Sequence, residues 1–396
     1  MPLTYHPDLL GHSSVAYFFA YQGVLDPYDY LTKLSQEHPL VKNLGVGDVF
    51  IYPPLSYFTL GAFRFLLKPL SDPNLIPWLW SNLDKIYQYK SLFWHLFLFK
   101  LPYLFFDIGL AFLLANLFDD KKKRLPFILW MFNPLTLYST FMIGQLDLLP
   151  TFFSVLCLYL IKKKKYAWAM ISLGVGGSYK LFPLLFVVPA ALFLQRNFLK
   201  RVKLAFLGFL PFILSILPFL GSAAFRQMVL FAPKSQKMLF MSLPVSGAEG
   251  IYPFILILAF IYSYFFFGKE LSLEKGFILI LLLIFSVTHY HPQWFLWVTP
   301  FLIWELTKNS FQHLPLVLVF LASWLIVTLF FEPSLSLGLF GPIWPELNKF
   351  PGLSLLIGKY TNIFQFKSLV RSVFAGASLF YVYSLFKNKD ASELKT

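Results

Sequence analysis

Long apolar runs separated by short polar breaks dominate the chain. They fall near 50–70, 92–118, 126–143, 146–161, 166–178, 181–195, 204–221, 251–267, 276–290, 293–306, 314–331 and 367–386. A helix that crosses the hydrocarbon core needs about 20 apolar residues. Several runs are shorter than this and meet at Gly or Pro, which predicts broken helices whose freed backbone groups are satisfied by neighbouring protein or water. The pattern predicts an all-α transmembrane bundle over residues 50–386, with roughly 10 to 12 spans. Residues 1–49 are mixed and polar and read as a loop outside the membrane, in which 13–25 form a short amphipathic helix on its surface. Residues 387–396 read as a polar cytoplasmic tail.

Composition agrees. Apolar residues make up 58% of the 396 positions, aromatics 20% and charged residues 13%. A soluble domain carries about 25% charged residues. So little charge leaves too much apolar surface for a water-soluble protein of this size. The net charge of +14 is concentrated in short clusters between apolar runs, at Lys121 to Arg124, Lys162 to Lys165, and Arg196 with Lys200, Arg201 and Lys203. That is the signature of cytoplasmic loops, not of a nucleic-acid partner. The single cysteine, Cys157, rules out an internal disulfide framework.

The basic clusters also serve as a topological ruler. With 121–124 and 162–165 both inside, residues 125–161 cross out and back, and the turn Ile143-Gly144-Gln145-Leu146-Asp147 lies outside. Residues 166–195 do the same, which places Gly176 to Lys180 on that side too. Two polar turns thus converge on one face. Upstream, 50–70 and 92–118 return the chain to the wrong side for the cluster at 121, unless 50–70 is re-entrant or 73–81 also enters the membrane.

Few residues carry chemistry, and most lie near that face. Asp8, Asp26 and Asp48 sit in an acidic and aromatic N-terminal segment that runs into Tyr52-Pro53-Pro54-Leu55; solvated surface carboxylates are the competing account. Asn133-Pro134 breaks a helix before Gln145 and Asp147, and an ionisable residue at membrane depth is a functional candidate. Capping of the following helix is the alternative for Asp147. Lys180, between Gly176-Gly177-Ser178-Tyr179 and a long apolar stretch, needs an anion such as phosphate, or must snorkel to headgroups. His289, His291, Gln293 and Trp294 form a polar cluster suited to a sugar or lipid headgroup. The histidines have no acidic or thiol partner at ligand spacing, so no cofactor is implied and a divalent metal is not indicated. Lys100 and Asp107, seven residues apart in one span, read as a structural ion-pair network.

In order, these pieces resemble the C-type (GT-C) superfamily of integral membrane glycosyltransferases, closest to family 87 polyprenyl-phosphate-mannose transferases and GPI mannosyltransferase catalytic subunits. The likeness rests on Tyr52 to Leu55, Lys100 with Asp107, Asn133-Pro134 through Asp147, the Gly-rich stretch ending in Lys180, and His291 to Trp294, and it extends over about residues 5–305. It implies a multi-pass membrane location, the plasma membrane in a prokaryote. It also implies transfer of mannose or another hexose, with inversion, from a polyprenyl-phosphate donor to a hydroxyl of a glycan, lipid or protein acceptor. The acidic catalytic residue of the first extracytoplasmic loop corresponds to Asp8, with Asp26 and Asp48 as fallbacks. The family pattern also places a span before that loop, whereas seven residues precede Asp8. On this likeness Lys180 and His291 meet the donor phosphate, while Gln145, Asp147, His289, Gln293 and Tyr52 shape the sugar or lipid-head pocket. A lipid or sugar transporter or flippase, or a non-catalytic envelope-assembly subunit, is the rival reading.

Overall fold

The computed structural model describes residues 1–268 and 271–393. Its helices fall on the apolar runs: Pro54–Leu66, Leu92–Ala115, Arg124–Met131, Leu148–Lys162, Tyr166–Gly177, Val187–Leu194, Phe198–Ile216, Pro253–Phe267, Leu273–Val287, Thr299–Lys308, Leu314–Leu329 and Ile363–Glu393. The strands among the described residues, Leu243–Ser246 and Glu249–Ile251, pair as one antiparallel hairpin. The chain is an all-α membrane protein. Of the polar tail, the backbone stays helical to Glu393, and residues 394–396 lie outside the described residues.

Fewer helices reach spanning length than the apolar runs suggest. Among the described residues three are long and apolar enough to cross a membrane: Leu92–Ala115, Phe198–Phe219 and Ile363–Leu385. Four more, Leu148–Lys162, Phe182–Leu194, Pro253–Phe267 and Leu314–Leu329, are apolar but shorter. Breaks inside the runs cause the difference. At Asn133-Pro134 the proline cannot continue the helix. The Asn133 side chain then caps the restart, accepting from the Leu135 and Thr136 amides at 2.9 and 3.4 Å. A π-helical turn at Leu137–Ile143 follows and stops at Gly144, whose φ of +83° is the left-handed conformation that favours glycine.

These breaks set the two ends of the bundle. Lys162 donates to the carbonyls of Asn116, Leu117 and Phe118 at 3.2, 3.0 and 3.4 Å. It thereby satisfies acceptors that the end of the Leu92–Ala115 helix leaves open. The clusters at 121–124 and 162–165 therefore share one end. The turns at 143–147 and 176–180 meet at the other, where Lys180 Nζ lies 2.7 Å from Asp147 Oδ1.

Two expectations are corrected. The N-terminal helix is Asp8–Gln22 rather than 13–25, and ten of its fifteen residues are buried, so it is packed within the protein and has no broad polar face turned outward. It packs so closely that a Cβ on Gly11 would fall 2.4 Å from the Val49 carbonyl oxygen, and one on Gly61 would fall 2.4 Å from the Phe19 ring. Its partner Pro54–Leu66 has 13 residues. At about 1.5 Å per residue it is some 20 Å long, short of a hydrocarbon core of about 30 Å. Lys100 and Asp107 also fail to form an ion pair. Lys100 binds backbone and hydroxyl oxygens, and Asp107 accepts from the Trp130 indole at 2.8 Å.

Small residues allow the closest helix approach. A Cβ on Gly174 would sit 2.3 Å from the Gly208 carbonyl oxygen, and one on Gly208 would sit 2.6 Å from Val187. Close packing of this kind replaces the hydrophobic drive that lipid does not supply. Gly174→Val is expected to cost about 2–4 kcal/mol by forcing the Tyr166–Gly177 and Phe198–Ile216 helices apart. Thermal unfolding in detergent checks this, and an unchanged midpoint contradicts it.

Candidate active site

Lys180, held from behind by Asp147, lines a cavity of about 230 Å³. Asp8, His12, Asp48, Tyr52, Lys180, Lys234, Lys237, His291, Gln293, Trp294 and Trp297 contribute to its lining. Asp8 and His12 stand one turn apart on the same face of their helix, which the missing side chain of Gly11 lets settle onto Val49.

Asp8 is the carboxylate at the centre of this arrangement. Its side chain is 43% exposed, opening into the cavity. Oδ2 accepts from Gln145 Nε2 at 2.5 Å and lies 3.6 Å from His6 Nδ1. Tyr52 in turn donates to Gln145 Oε1 at 3.5 Å, which turns the Gln145 amide so that its nitrogen faces Asp8. Burial pushes the Asp8 carboxyl up, but His6, His12, the Gln145 amide and His291 together hold it below its ordinary value. It is therefore a carboxylate at neutral pH.

Asp147 plays a different part. It has no exposed surface, and its side chain makes no capping bond to the helix that it precedes. Oδ1 instead accepts from Lys180 and from the Trp297 indole, at 2.7 and 2.5 Å. Lys180 also lies over the rings of Tyr52, Trp294 and Trp297, at 5.3, 5.5 and 5.3 Å. An ammonium has three donors. With one spent on Asp147, the group is fixed in an aromatic cage at the cavity wall.

Other residues assigned from the sequence divide clearly. Tyr52, Gln293 and His291 line the cavity. Burial first, then Lys237 and Lys180, push His291 down to about 4. At neutral pH it is a hydrogen-bonding group and not a cation. Asp48 is at the cavity too, but its carboxylate pairs with Lys234 at 2.5 Å. Asp26 is elsewhere and caps the Pro27–Lys33 helix, accepting from the Tyr28 and Asp29 amides at 2.9 and 3.1 Å. His289 is exposed beside Arg371, 3.5 Å away, and does not line the cavity.

Lining residues that escape the sequence reading include His12, Lys234, Lys237 and Trp297. The lysines leave a signal, because Pro233-Lys234-Ser235-Gln236-Lys237 interrupts two apolar runs with charge. Lys237 lies 5.4 Å from the Trp294 ring. Trp297 leaves none, since it sits inside an apolar stretch, and His12 sits in a mixed segment that does not single it out. No group of three or more His, Cys, Asp or Glu among the described residues is placed to hold a metal ion.

Two outcomes follow. Lys180→Met strands the Asp147 charge and is expected to cost about 3–5 kcal/mol, most of it recovered in Lys180→Met/Asp147→Leu. Thermal unfolding of both variants checks this, and an unaltered single variant contradicts it. His12, which burial pushes down to about 4, and His291 are both neutral in the folded protein at neutral pH. The unfolded chain, with histidines near 6.5, binds more protons as pH falls from about 6.5 towards 4. Stability is therefore full above that window and declines as pH drops through it. His12→Asn is expected to flatten the decline measured between pH 7 and about 5.

Residues 141–230 match the family model described as mannosyltransferase (PIG-M). The matched stretch contains Gln145, Asp147 and Lys180. No curated protein and no solved structure gives a significant match. This match, in a chain built from apolar helices, supports a GT-C-like membrane mannosyltransferase.

Proposed function

We propose that the chain is a multi-pass transferase that moves mannose from a polyprenyl-phosphate donor to an acceptor hydroxyl, on the extracytoplasmic face, with inversion. The observation that carries this reading is a single cavity lined by a free carboxylate, Asp8, and by the ammonium groups of Lys180 and Lys237. Such transfer needs a base at the attacking hydroxyl and cationic donors where phosphate charge develops.

In this mechanism the acceptor oxygen attacks the anomeric carbon from the side opposite the phosphate. The carbon–oxygen bond to phosphate breaks, and its electron pair leaves with polyprenyl phosphate. Asp8 takes the hydroxyl proton as the new glycosidic bond forms. Lys180 and Lys237 stabilise the departing phosphate, with His291 adding a neutral hydrogen bond. Gln145 fixes the carboxylate, and Trp294 offers a ring face to the sugar.

The positions of the basic clusters support the outer face. The Leu148–Lys162 helix runs from the cavity at Asp147 to the cluster at 162–165. Lysine-rich ends face the cytoplasm by the positive-inside rule, which supports a cavity that opens on the other side.

The test is transfer by purified protein in lipid nanodiscs, with polyprenyl-phosphate [14C]mannose as donor and native membrane extract as the acceptor pool. Asp8→Asn is expected to lower the rate by about 10²–10⁴-fold. Asp26→Asn retains the wild-type rate, because asparagine caps a helix as well as aspartate does. Full activity in Asp8→Asn, or no transfer by the wild type, overturns the reading.

A further inference from the structure

Lys100 lies within the long Leu92–Ala115 helix with no exposed surface. An ammonium in such surroundings is costly unless well solvated by protein. Among the described residues its polar partners are oxygens, and none belongs to a carboxylate. Nζ donates to Thr4 O at 2.6 Å, Thr4 Oγ1 at 3.0 Å, Met1 O at 3.0 Å and Met142 O at 3.2 Å. Thr4 Oγ1 also donates to Met142 O at 2.9 Å.

These oxygens come from two chain segments only. Thr4 is four residues before Asp8, and Met142 is three before Gln145. The same two segments are also joined by the 2.5 Å hydrogen bond from Gln145 to Asp8. Gly144 lies between the two contacts, and a Cβ there would fall 3.3 Å from Lys100 Cε and 2.8 Å from Leu9 Cδ2. A side chain at 144 would thus push the segments off the lysine. Neutral packing would fill this space at lower cost, but it would not bind carbonyls from both segments at once.

We propose that Lys100 is a positioning residue for the transfer reaction: by holding the Thr4 and Met142 oxygens on one ammonium, it sets the Asp8 carboxylate against Gln145 and hence against the acceptor hydroxyl. This rests on Asp8 being the base. Lys100 does not line the cavity, so its removal acts on the placement of the carboxylate and not on donor binding.

The experiment measures kcat and donor KM with polyprenyl-phosphate [14C]mannose and native membrane extract, for Lys100→Met in the wild-type and Asp8→Asn backgrounds. A displacement of about 1 Å at a reacting group costs up to about 10²-fold. Lys100→Met is expected to lower kcat about 10–100-fold with donor KM within about threefold, and to cause no further loss in Asp8→Asn. Equal loss in both backgrounds, or a changed KM with an unchanged kcat, overturns the proposal. Thr4→Val deletes one of the four oxygens and keeps the shape of the side chain. It is expected to lower kcat about 3–10-fold, again only when Asp8 is present. Should Lys100→Met fail to fold, Thr4→Val at the wild-type kcat overturns the proposal. An Asp8→Asn variant with full activity overturns instead the reading on which the proposal rests.

Discussion

A carboxylate with no exposed surface must be paired, and Asp147 is paired across three distant parts of the chain. Lys180 follows a short helix 33 residues after Asp147, and Trp297 lies in a turn 150 residues after Asp147. Each contact draws in a segment that contributes to the cavity. Through Lys180 the aromatic rings of Tyr52 and Trp294 are gathered as well. Breaking one side of a buried pair costs more than the pair contributes over a neutral replacement. That asymmetry makes the contact a strong constraint on geometry even if its net stabilisation is small.

A second cation works without a counter-charge. Lys100 is solvated by carbonyl and hydroxyl oxygens, and the segments it holds bring Asp8 and Gln145 together. The site therefore uses three carboxylates under three regimes. Asp147 is buried and neutralised, Asp48 is exposed and paired with Lys234, and Asp8 opens into the cavity with an amide donor and no lysine. Only the last carries no lysine partner and faces the cavity, which is why the proposed mechanism assigns it the proton.

Much of this was legible in the sequence. Apolar runs mark the helices, since lipid demands apolar side chains and internally satisfied backbones. The lysine clusters placed the turns at 143–147 and 176–180 on one side, and the Asp147–Lys180 contact joins them. Asp8, Lys180, His291, Gln293 and Tyr52 do share a cavity. Other features were hidden. The break at Asn133-Pro134 was legible from the proline, but the π-helical turn at Leu137–Ile143 that follows it was not, because composition does not report how a helix is wound. Asp26 resembles Asp8 in sequence setting, and only the fold separates them: Asp26 accepts from the Tyr28 and Asp29 amides, whereas Asp8 opens into the cavity. Lys100 seemed to belong with Asp107 because spacing along a helix ignores the chain that packs against it.

The central claim is that mannosyl phosphate occupies the cavity between Asp8 and Lys180. The most direct measurement is a cryo-electron microscopy structure of the protein in nanodiscs with a polyprenyl-phosphate mannose analogue bound. The account places the phosphate within hydrogen-bonding distance of Lys180 or Lys237, with the anomeric carbon between it and the Asp8 carboxylate. Phosphate density at the opposite end of the bundle, beside Lys121 to Arg124 or Lys162 to Lys165, contradicts it.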